Sequence, residues 1–147
     1  MKALYALQGV SKKGKSPTLN ILIDELAKKY PNATKRILIP GRGRDQQVIF
    51  NNLNGHIIGI ETQGDPNSRL PQSLKDFATA QCDIIFCACR TSGSTVDAIQ
   101  NFAKQYSYTV NIIKQTYEKN GCKPTLSVFY SQGQPLVLGW PCRLIFS

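Results

Sequence analysis

Residues 2–27, which read KALYALQ, GVSKKGKS and PTLNILIDELA in turn, contain three consecutive patterns that point to a fold class. Lys2–Gln8 is a short, mostly apolar run of the length of a strand. A loop of glycine, serine and lysine follows. In the third segment apolar residues recur at i, i+3, i+4 and i+7, on one face of a helix: Leu19, Leu22, Ile23 and Leu26. The stretch predicts a strand, a loop and a helix in that order.

The loop Gly9–Ser16, GVSKKGKS, matches the pattern G-x-x-x-x-G-K-[ST] at every fixed position. Glycines let a backbone wrap closely around phosphate oxygens, which its N–H groups then bind. In such a loop Lys15 reaches the β- and γ-phosphates and the Ser16 hydroxyl is a ligand of Mg²⁺. The helix that begins here directs its positive end toward the same anion. The loop therefore predicts a phosphate-binding site.

On these residues the chain resembles the P-loop NTPase superfamily, closely over Lys2–Glu25 and loosely to about Thr116. The resemblance implies Mg²⁺-dependent binding of a nucleoside triphosphate, ATP or GTP, and chemistry at a phosphate bond. It also implies the residues that contact the nucleotide: Gly9, Ser11, Lys12, Lys13, Gly14, Lys15, Ser16 and Thr18.

The remaining sequence predicts an α/β fold. Asn-Gly between two β-rich runs, Gln47–Asn51 and His56–Ile60, is typical of a hairpin. Asp83–Cys89 is a continuous apolar run, typical of a strand buried on both faces. Further strands and helices are expected at Arg36–Ile39, Gln72–Ala80, Thr95–Tyr106 and Thr109–Thr116. We expect one domain over residues 1–147, with three P-loop NTPase-like layers. Its mostly parallel sheet would contain an antiparallel hairpin and carry helices on both faces.

The last segment, residues 123–147, does not fit that expectation simply. P-loop domains generally close with a helix, whereas this segment contains short β-like runs at Leu126–Tyr130, Leu136–Leu138 and Leu144–Phe146. It is expected to extend the sheet edge or to pair with another subunit. The sequence does not decide between these roles.

A second set of candidate residues follows His56–Ile60. In P-loop proteins an acidic residue at the end of a buried strand orients Mg²⁺ or its water, and Glu61 stands at such a place. The segment also resembles the Asp-x-x-Gly turn of Ras-like GTPases, with Glu61 for the Asp and Gly64 for the Gly. Gln63 or Asp65 would orient the attacking water. The predicted catalytic set is Lys15, Glu61, Gln63 and Asp65, with Ser16 and Glu61 on the metal. The alternative is an ordinary polar turn.

Arginines supply further candidate phosphate contacts. Arg90 begins a loop that leaves the carboxyl end of Asp83–Cys89, where ligands of open α/β sheets gather. There it would meet a phosphate or the base, although the loop also suits capping of the next helix. Arg42 and Arg44, flanked by glycines, would stabilise charge on a transferred phosphoryl group or contact a nucleic-acid backbone, or form a solvated turn.

The leading functional hypothesis is Mg²⁺-dependent binding and hydrolysis of ATP. GTP is less favoured because the chain has no Asn-Lys-x-Asp tetrapeptide, the guanine-reading motif of Ras-like GTPases. A nucleotide or small-molecule kinase is the first alternative, although no arginine-rich lid is visible. A domain of this size is expected to work slowly alone and to need a protein partner or a second copy.

A non-catalytic module that senses nucleotide or binds nucleic acid is the second alternative. The net charge is +9, and ten of the eighteen basic residues lie in the first 44 positions with only two acidic ones. Such a field favours phosphate-bearing ligands. The motif itself accounts for three of the lysines, and aromatic residues that would stack on bases are sparse near the cluster. Nucleic acid is therefore the less favoured ligand.

Five cysteines and one histidine give little support for a zinc site. Cys87 and Cys89 lie in the apolar run and are expected to be buried free thiols, which favours a reducing, cytoplasmic location. No apolar stretch approaches the about 18 residues of a membrane span. The N-terminal run lacks a signal-peptide cleavage site, so secretion and membrane partners are not expected.

Overall fold

The computed structural model describes residues 2–8, 15–39, 46–53, 55–64 and 66–114, together with short β-segments from residue 116 onward. Within these residues the chain is α/β, with three helices and a six-stranded, mostly parallel sheet. None of the three helices is both long and apolar enough to span a bilayer. The α/β class predicted from the sequence is confirmed.

The elements alternate in the predicted order. The strands of the main sheet are β1 (Ala3–Gln8), β2 (Thr34–Ile39), β3 (Gln47–Leu53), β4 (His56–Glu61), β5 (Ile84–Cys89) and β6 (Thr109–Lys114). The helices are α1 (Lys15–Lys29), α2 (Leu70–Thr79) and α3 (Ser94–Tyr106). Beyond them lie β7 (Thr116–Tyr117), β8 (Pro124–Thr125), β9 (Phe129–Ser131), β10 (Gln134–Gly139) and β11 (Arg143–Phe146).

The strands of the main sheet are arranged β2-β3-β4-β5-β1-β6. β4, β5, β1 and β6 are parallel, whereas β2 and β3 are antiparallel to their neighbours. β1 lies between β5 and β6, with Ala6 level with Cys87 on one side and Ile112 on the other. β7 pairs with β8, and β9, β10 and β11 form a separate antiparallel sheet.

Helices cover both faces of the main sheet, and each face has its own apolar core. The predicted stripe of α1 is buried against one face, where Tyr5 and Phe86 stack with their ring centroids 5.3 Å apart. α2 and α3 bury Phe77 and Phe102 against the other face. Residues of β5 are buried on both faces, as its continuous apolar sequence predicts. Cys87 and Cys89 are buried free thiols, which confirms that prediction.

The predicted hairpin is β3–β4, in which Val48 pairs with Ile60. Its register shifts between Phe50 and Leu53, and Asn52 and Gly55 take positive φ angles of 57° and 83°. Asn and Gly tolerate this backbone conformation with the least strain.

Several predicted boundaries shift in the structure, among them the start of α2 and the end of β6. α2 begins at Leu70 instead of Gln72, because Pro71 occupies its first turn, where the missing N–H of proline costs nothing. β6 ends at Lys114 instead of Thr116.

Candidate functional site

The carboxyl ends of four parallel strands, β4, β5, β1 and β6, meet at one edge of the sheet. The chain leaves β1 for α1 on one face and leaves the neighbouring β5 for α3 on the other face. Such a reversal opens a crevice between the two connections, and ligands of open α/β sheets bind there. The side-chain Nε2 of Gln8, the last residue of β1, donates to the Thr91 carbonyl oxygen across this crevice at 3.5 Å.

The first of the two connections leads from β1 to α1. β1 ends at Gln8 and α1 begins at Lys15, so the motif connects a central strand to a helix N-terminus. The first turn of α1 has no acidic residue to compensate the positive end of the helix dipole. The structure describes only the backbone of Lys15, Ser16 and Thr18. The other predicted contacts lie outside the described residues: Gly9, Ser11, Lys12, Lys13 and Gly14.

The second connection is the turn from β5 to α3. The Arg90 N–H donates to the buried Thr95 hydroxyl at 3.0 Å, which ties the start of the turn to the first turn of α3. Residues 91–94 are exposed. Gly93 has φ 92° and ψ −154°, a conformation open to glycine and strained for other residues. Arg90 is half-buried at the carboxyl end of β5, where the sequence places it.

Glu61 lies at the end of β4 with a fully buried side chain. Its Oε1 accepts the Gln63 N–H at 2.9 Å, and its Oε2 accepts the Arg69 Nε at 3.0 Å and the Ser73 hydroxyl at 2.7 Å. Both oxygens are therefore engaged. The carboxylate faces α2. Burial raises the pKa of the Cys87 thiol well above its ordinary value, and the neighbouring Cys89 and Glu61 add to that shift.

The residues that follow Glu61 lie on the α1 side of the sheet. Thr62 exchanges two hydrogen bonds with Gln46: the Gln46 N–H donates to the Thr62 hydroxyl at 2.9 Å, and the Thr62 N–H donates to the Gln46 carbonyl at 3.1 Å. The Gln46 side chain donates to Asn20 Oδ1 on α1 at 2.8 Å. Ser16 stands four residues before Asn20 and therefore on the same face of α1.

Gly64 lies against the backbone of β5. A Cβ added to Gly64 would lie 2.6 Å from Ala88 Cβ and closer still to the Ala88 carbonyl oxygen. Ala88 is level with Leu7, the second-last residue of β1. The turn after β4 thus packs against the end of β5, the strand next to β1, and it includes the half-buried Gln63. Asp65 lies outside the described residues.

The strand order separates Glu61 itself from the motif. β5 lies between β4 and β1, so the ends of β4 and β1 are about 10 Å apart at the usual strand spacing. A carboxylate offers about four acceptor positions, and hydrogen bonds occupy three of those of Glu61, which leaves about one for a metal ion. Across the described part of the chain, no three His, Cys, Asp or Glu side chains form a metal-binding group.

Several residues that shape this edge were not singled out from the sequence. Arg69 and Ser73 bind Glu61, whereas Thr62, Gln46 and Asn20 join the turn to α1. A detectable signal was a lone arginine shortly before the predicted helix Gln72–Ala80 and eight residues after a strand-end carboxylate. The hydrogen bonds of Thr62, Gln46 and Asn20 depend on strand register, which the sequence pattern does not specify.

The basic residues of the N-terminal third divide between two places. The motif lysines precede or begin α1, whereas Lys28 and Lys29 occupy its last turn and Lys35 and Arg36 lie on the edge strand β2. These four residues are exposed. β2 is four strand spacings, about 19 Å, from β1. These four side chains therefore do not lie at the end of β1 where the motif begins. Arg42 and Arg44 lie outside the described residues.

Comparison of the chain with protein-family models, with curated proteins and with solved structures gave no match.

Proposed function

We propose that this protein binds a nucleoside triphosphate together with Mg²⁺ in the crevice between the ends of β1 and β5 and hydrolyses it, with ATP favoured over GTP. The observation that carries the proposal is the position of Gly9–Ser16. This glycine- and lysine-rich segment connects the end of a central parallel strand to a helix N-terminus, beside the reversal in chain direction. Strand geometry, helix dipole and sequence chemistry there all favour a phosphate group.

The proposed roles follow from chemistry and position. Lys15 binds the β- and γ-phosphates, and Gln63 or Asp65 orients a water. That water's oxygen bonds to the γ-phosphorus as the bond from phosphorus to the β–γ bridging oxygen breaks. The products are ADP and inorganic phosphate, with the released proton going to phosphate or solvent. Arg90 adds positive charge at the mouth of the crevice, and Arg42 and Arg44 are further candidates for this role.

A magnesium ion fits this site through Ser16 and the nucleotide phosphates. Mg²⁺ usually keeps several waters and takes one or two protein ligands in addition to phosphate oxygens, so no cluster of carboxylates is required. Glu61, whose two oxygens already accept three hydrogen bonds, is less suited to direct ligation. The bound ion would supply charge neutralisation on the phosphates.

The test is calorimetric titration of the protein with ATP and with GTP, with and without Mg²⁺, followed by measurement of phosphate release. Lys15→Ala is expected to weaken binding about 10- to 100-fold, the usual effect of losing hydrogen bonds to a charged group. Lys104→Ala is the matched control, because Lys104 lies in the last turn of α3, at the far edge of the sheet. This variant is expected to bind like the wild type. Absence of binding to either nucleotide would overturn the proposal.

A polyanion-binding module is the second candidate, supported by the exposed residues Lys28, Lys29, Lys35 and Arg36. Binding of a single-stranded oligonucleotide that survives Lys15→Ala and is lost in Lys35→Ala/Arg36→Ala would favour it. A kinase would share the nucleotide site, and phosphate transfer to an added acceptor in place of release to water would identify one.

A further inference from the structure

The geometry points to a positioning role for Glu61, Arg69 and Ser73, hereafter the clasp, which holds the turn after β4 against the end of β5. The inference rests on the proposed function and deepens it. It gives roles to Arg69 and Ser73, which were not singled out from the sequence, and it places Glu61 behind the reacting groups instead of on the metal.

The clasp closes the base of a loop. Glu61 ends β4, and Arg69 directly precedes α2, so their ion pair joins the two ends of residues 62–68. The Ser73 hydroxyl donates to the same carboxylate oxygen from the first turn of α2. The other oxygen accepts the Gln63 N–H and fixes the backbone immediately after the strand. One carboxylate therefore holds both the start and the end of the loop.

Burial makes the clasp rigid. Glu61 is 0% exposed and Arg69 is 24% exposed, so the charged pair is largely removed from water. A buried carboxylate needs its partners, because an uncompensated charge in that environment is strongly unfavourable. Glu61 is therefore expected to keep the arginine and the serine whether or not a nucleotide is bound.

The clasp acts on the part of the turn that faces the crevice. Beyond Glu61 the chain is fixed to β3 and α1 through Thr62 and Gln46, and to β5 through Gly64. Gln63 lies between these attachments. A shift of Glu61 would move the Gln63 backbone directly through the shared hydrogen bond. A misplacement of about 1 Å can lower a reaction rate by about 100-fold.

Two atoms beside the clasp have no hydrogen-bond partner within the described residues: Arg69 Nη2, a donor, and Gln47 Oε1, an acceptor. Gln47 is fully buried and is paired in register with Glu61. The clasp itself is thus only partly satisfied, because Arg69 Nη2 has no partner among the described residues, and partly satisfied buried networks respond strongly to loss of a member. Even conservative substitutions in the clasp are therefore expected to have measurable effects.

The test compares Glu61→Gln, Arg69→Ala, Arg69→Lys and Ser73→Ala with the wild type. Asp76→Asn is the matched control, because Asp76 also joins α2 to the sheet by accepting from Gln47 but does not touch Glu61. For each protein the nucleotide Kd, the kcat and the Mg²⁺ concentration at half-maximal rate are measured. Hydrogen exchange of the Gln63 amide is measured in the nucleotide-free protein.

Glu61→Gln, Arg69→Ala and Ser73→Ala are expected to lower kcat about 10- to 100-fold, with the nucleotide Kd and the Mg²⁺ requirement within about twofold of the wild type. Arg69→Lys should recover part of the loss, because lysine keeps the charge without the guanidinium geometry. Exchange of the Gln63 amide should accelerate in the same three variants. Asp76→Asn should change none of these quantities.

The inference is overturned if Glu61→Gln alone lowers kcat and also raises the Mg²⁺ requirement, since that pattern identifies a metal ligand. It is also overturned if Gln63 exchange is unchanged in Arg69→Ala and Ser73→Ala. A wild-type protein that binds no nucleotide would remove the proposed function, while the exchange measurement would still report whether the clasp holds the turn.

Discussion

Two turns leave the carboxyl ends of the neighbouring parallel strands β4 and β5, and they differ in how they are held. The first, residues 62–64, is fixed to β3, α1, α2 and β5, and two of its three residues are buried. The second, residues 90–93, is exposed over three of its four residues. Its anchors include the Thr95 hydroxyl, the contact with Gln8 and the Gly93 carbonyl, which accepts the Asp97 N–H.

For the proposed nucleotide site, this difference favours different roles for the two turns. A turn fixed on several sides can hold a reacting group in one geometry, which is what positioning requires. An exposed turn with few contacts can adjust to an entering ligand, as binding loops on a rigid scaffold do. We therefore assign positioning to the turn after β4 and ligand entry to the turn after β5.

Truncation of the buried aromatic residues of α2 and α3 should give the largest effects. Phe77 of α2 is fully buried, and its ring fills the space beside Gly59 that a Cβ would occupy. Phe77→Ala is expected to lower the free energy of unfolding by about 3–5 kcal/mol. The loss of stability in Phe102→Ala should be at the lower end of that range. The rings of Tyr106 and Tyr108 lie beside Phe102 and can move into the space that its ring leaves. Denaturant unfolding measures both losses, and an equal or reversed order would contradict this account of how the two rings are packed.

The glycines of the two turns provide the next test. Gly64→Ala places a methyl group against the Ala88 backbone and should cost about 2–3 kcal/mol of stability through overpacking. Gly93→Ala meets no atom within 4 Å, so its cost of about 1–2 kcal/mol comes from the strained backbone alone. We expect Gly64→Ala to lower kcat as well. If Gly93→Ala proves the more disruptive for thermal unfolding, the first turn is not the more tightly held one.

Each turn has a buried threonine whose hydroxyl accepts a backbone N–H: Thr62 from Gln46 and Thr95 from Arg90. Replacement by valine keeps the shape and leaves that N–H without its acceptor, at a cost of about 1–2 kcal/mol in either case. Measurements of kcat and of the nucleotide Kd should then distinguish the two variants. Thr62→Val is expected to lower kcat, and Thr95→Val to raise the nucleotide Kd. If instead Thr62→Val raises the Kd and Thr95→Val lowers kcat, the roles assigned to the two turns are the wrong way round.

The opposite, amino-terminal edge of the sheet should respond to pH without affecting the site. Burial, together with Asp83, raises the pKa of Cys82 from 9.0 to about 12. Burial also raises the pKa of Tyr108 from 10.0 to about 12, and the Tyr108 hydroxyl donates to the Cys82 carbonyl at 2.6 Å. Both groups are neutral in the folded protein below about pH 9 and ionise more readily when unfolded. Stability should therefore be fully present below pH 9 and fall between about pH 9 and 12.

The variants Cys82→Ala and Tyr108→Phe should each make this decline shallower, as followed by unfolding at a series of pH values. They should leave nucleotide binding at neutral pH unchanged. A decline of the same steepness in both variants would show that other groups are responsible.

The sequence predicted the fold class well, because periodicity reports directly on burial. The α1 stripe at Leu19, Leu22, Ile23 and Leu26 and the uninterrupted run of β5 are both buried as predicted. Asn-Gly located the hairpin. Strand order was beyond the sequence, because a run buried on both faces does not specify its neighbours.

The candidate site was predictable only in part. The motif of Gly9–Ser16 is local in sequence, so its residues could be named without a structure. The partners of Glu61 depend on where α2 begins and on the direction in which a strand-end side chain points, and neither is encoded in a short pattern. The predictions for Gln63 and Arg90 stay predictions, although both residues lie at the edge where strand direction places them.

The most direct test of a nucleotide site at this edge is hydrogen exchange of the wild-type protein with and without ATP and Mg²⁺. We predict slower exchange in residues 9–16 and in the turn at 90–95. We predict no change in Lys28–Arg36, whose basic residues lie toward the opposite, amino-terminal edge of the sheet. Unchanged exchange at residues 9–16, or protection confined to Lys28–Arg36, would contradict the account.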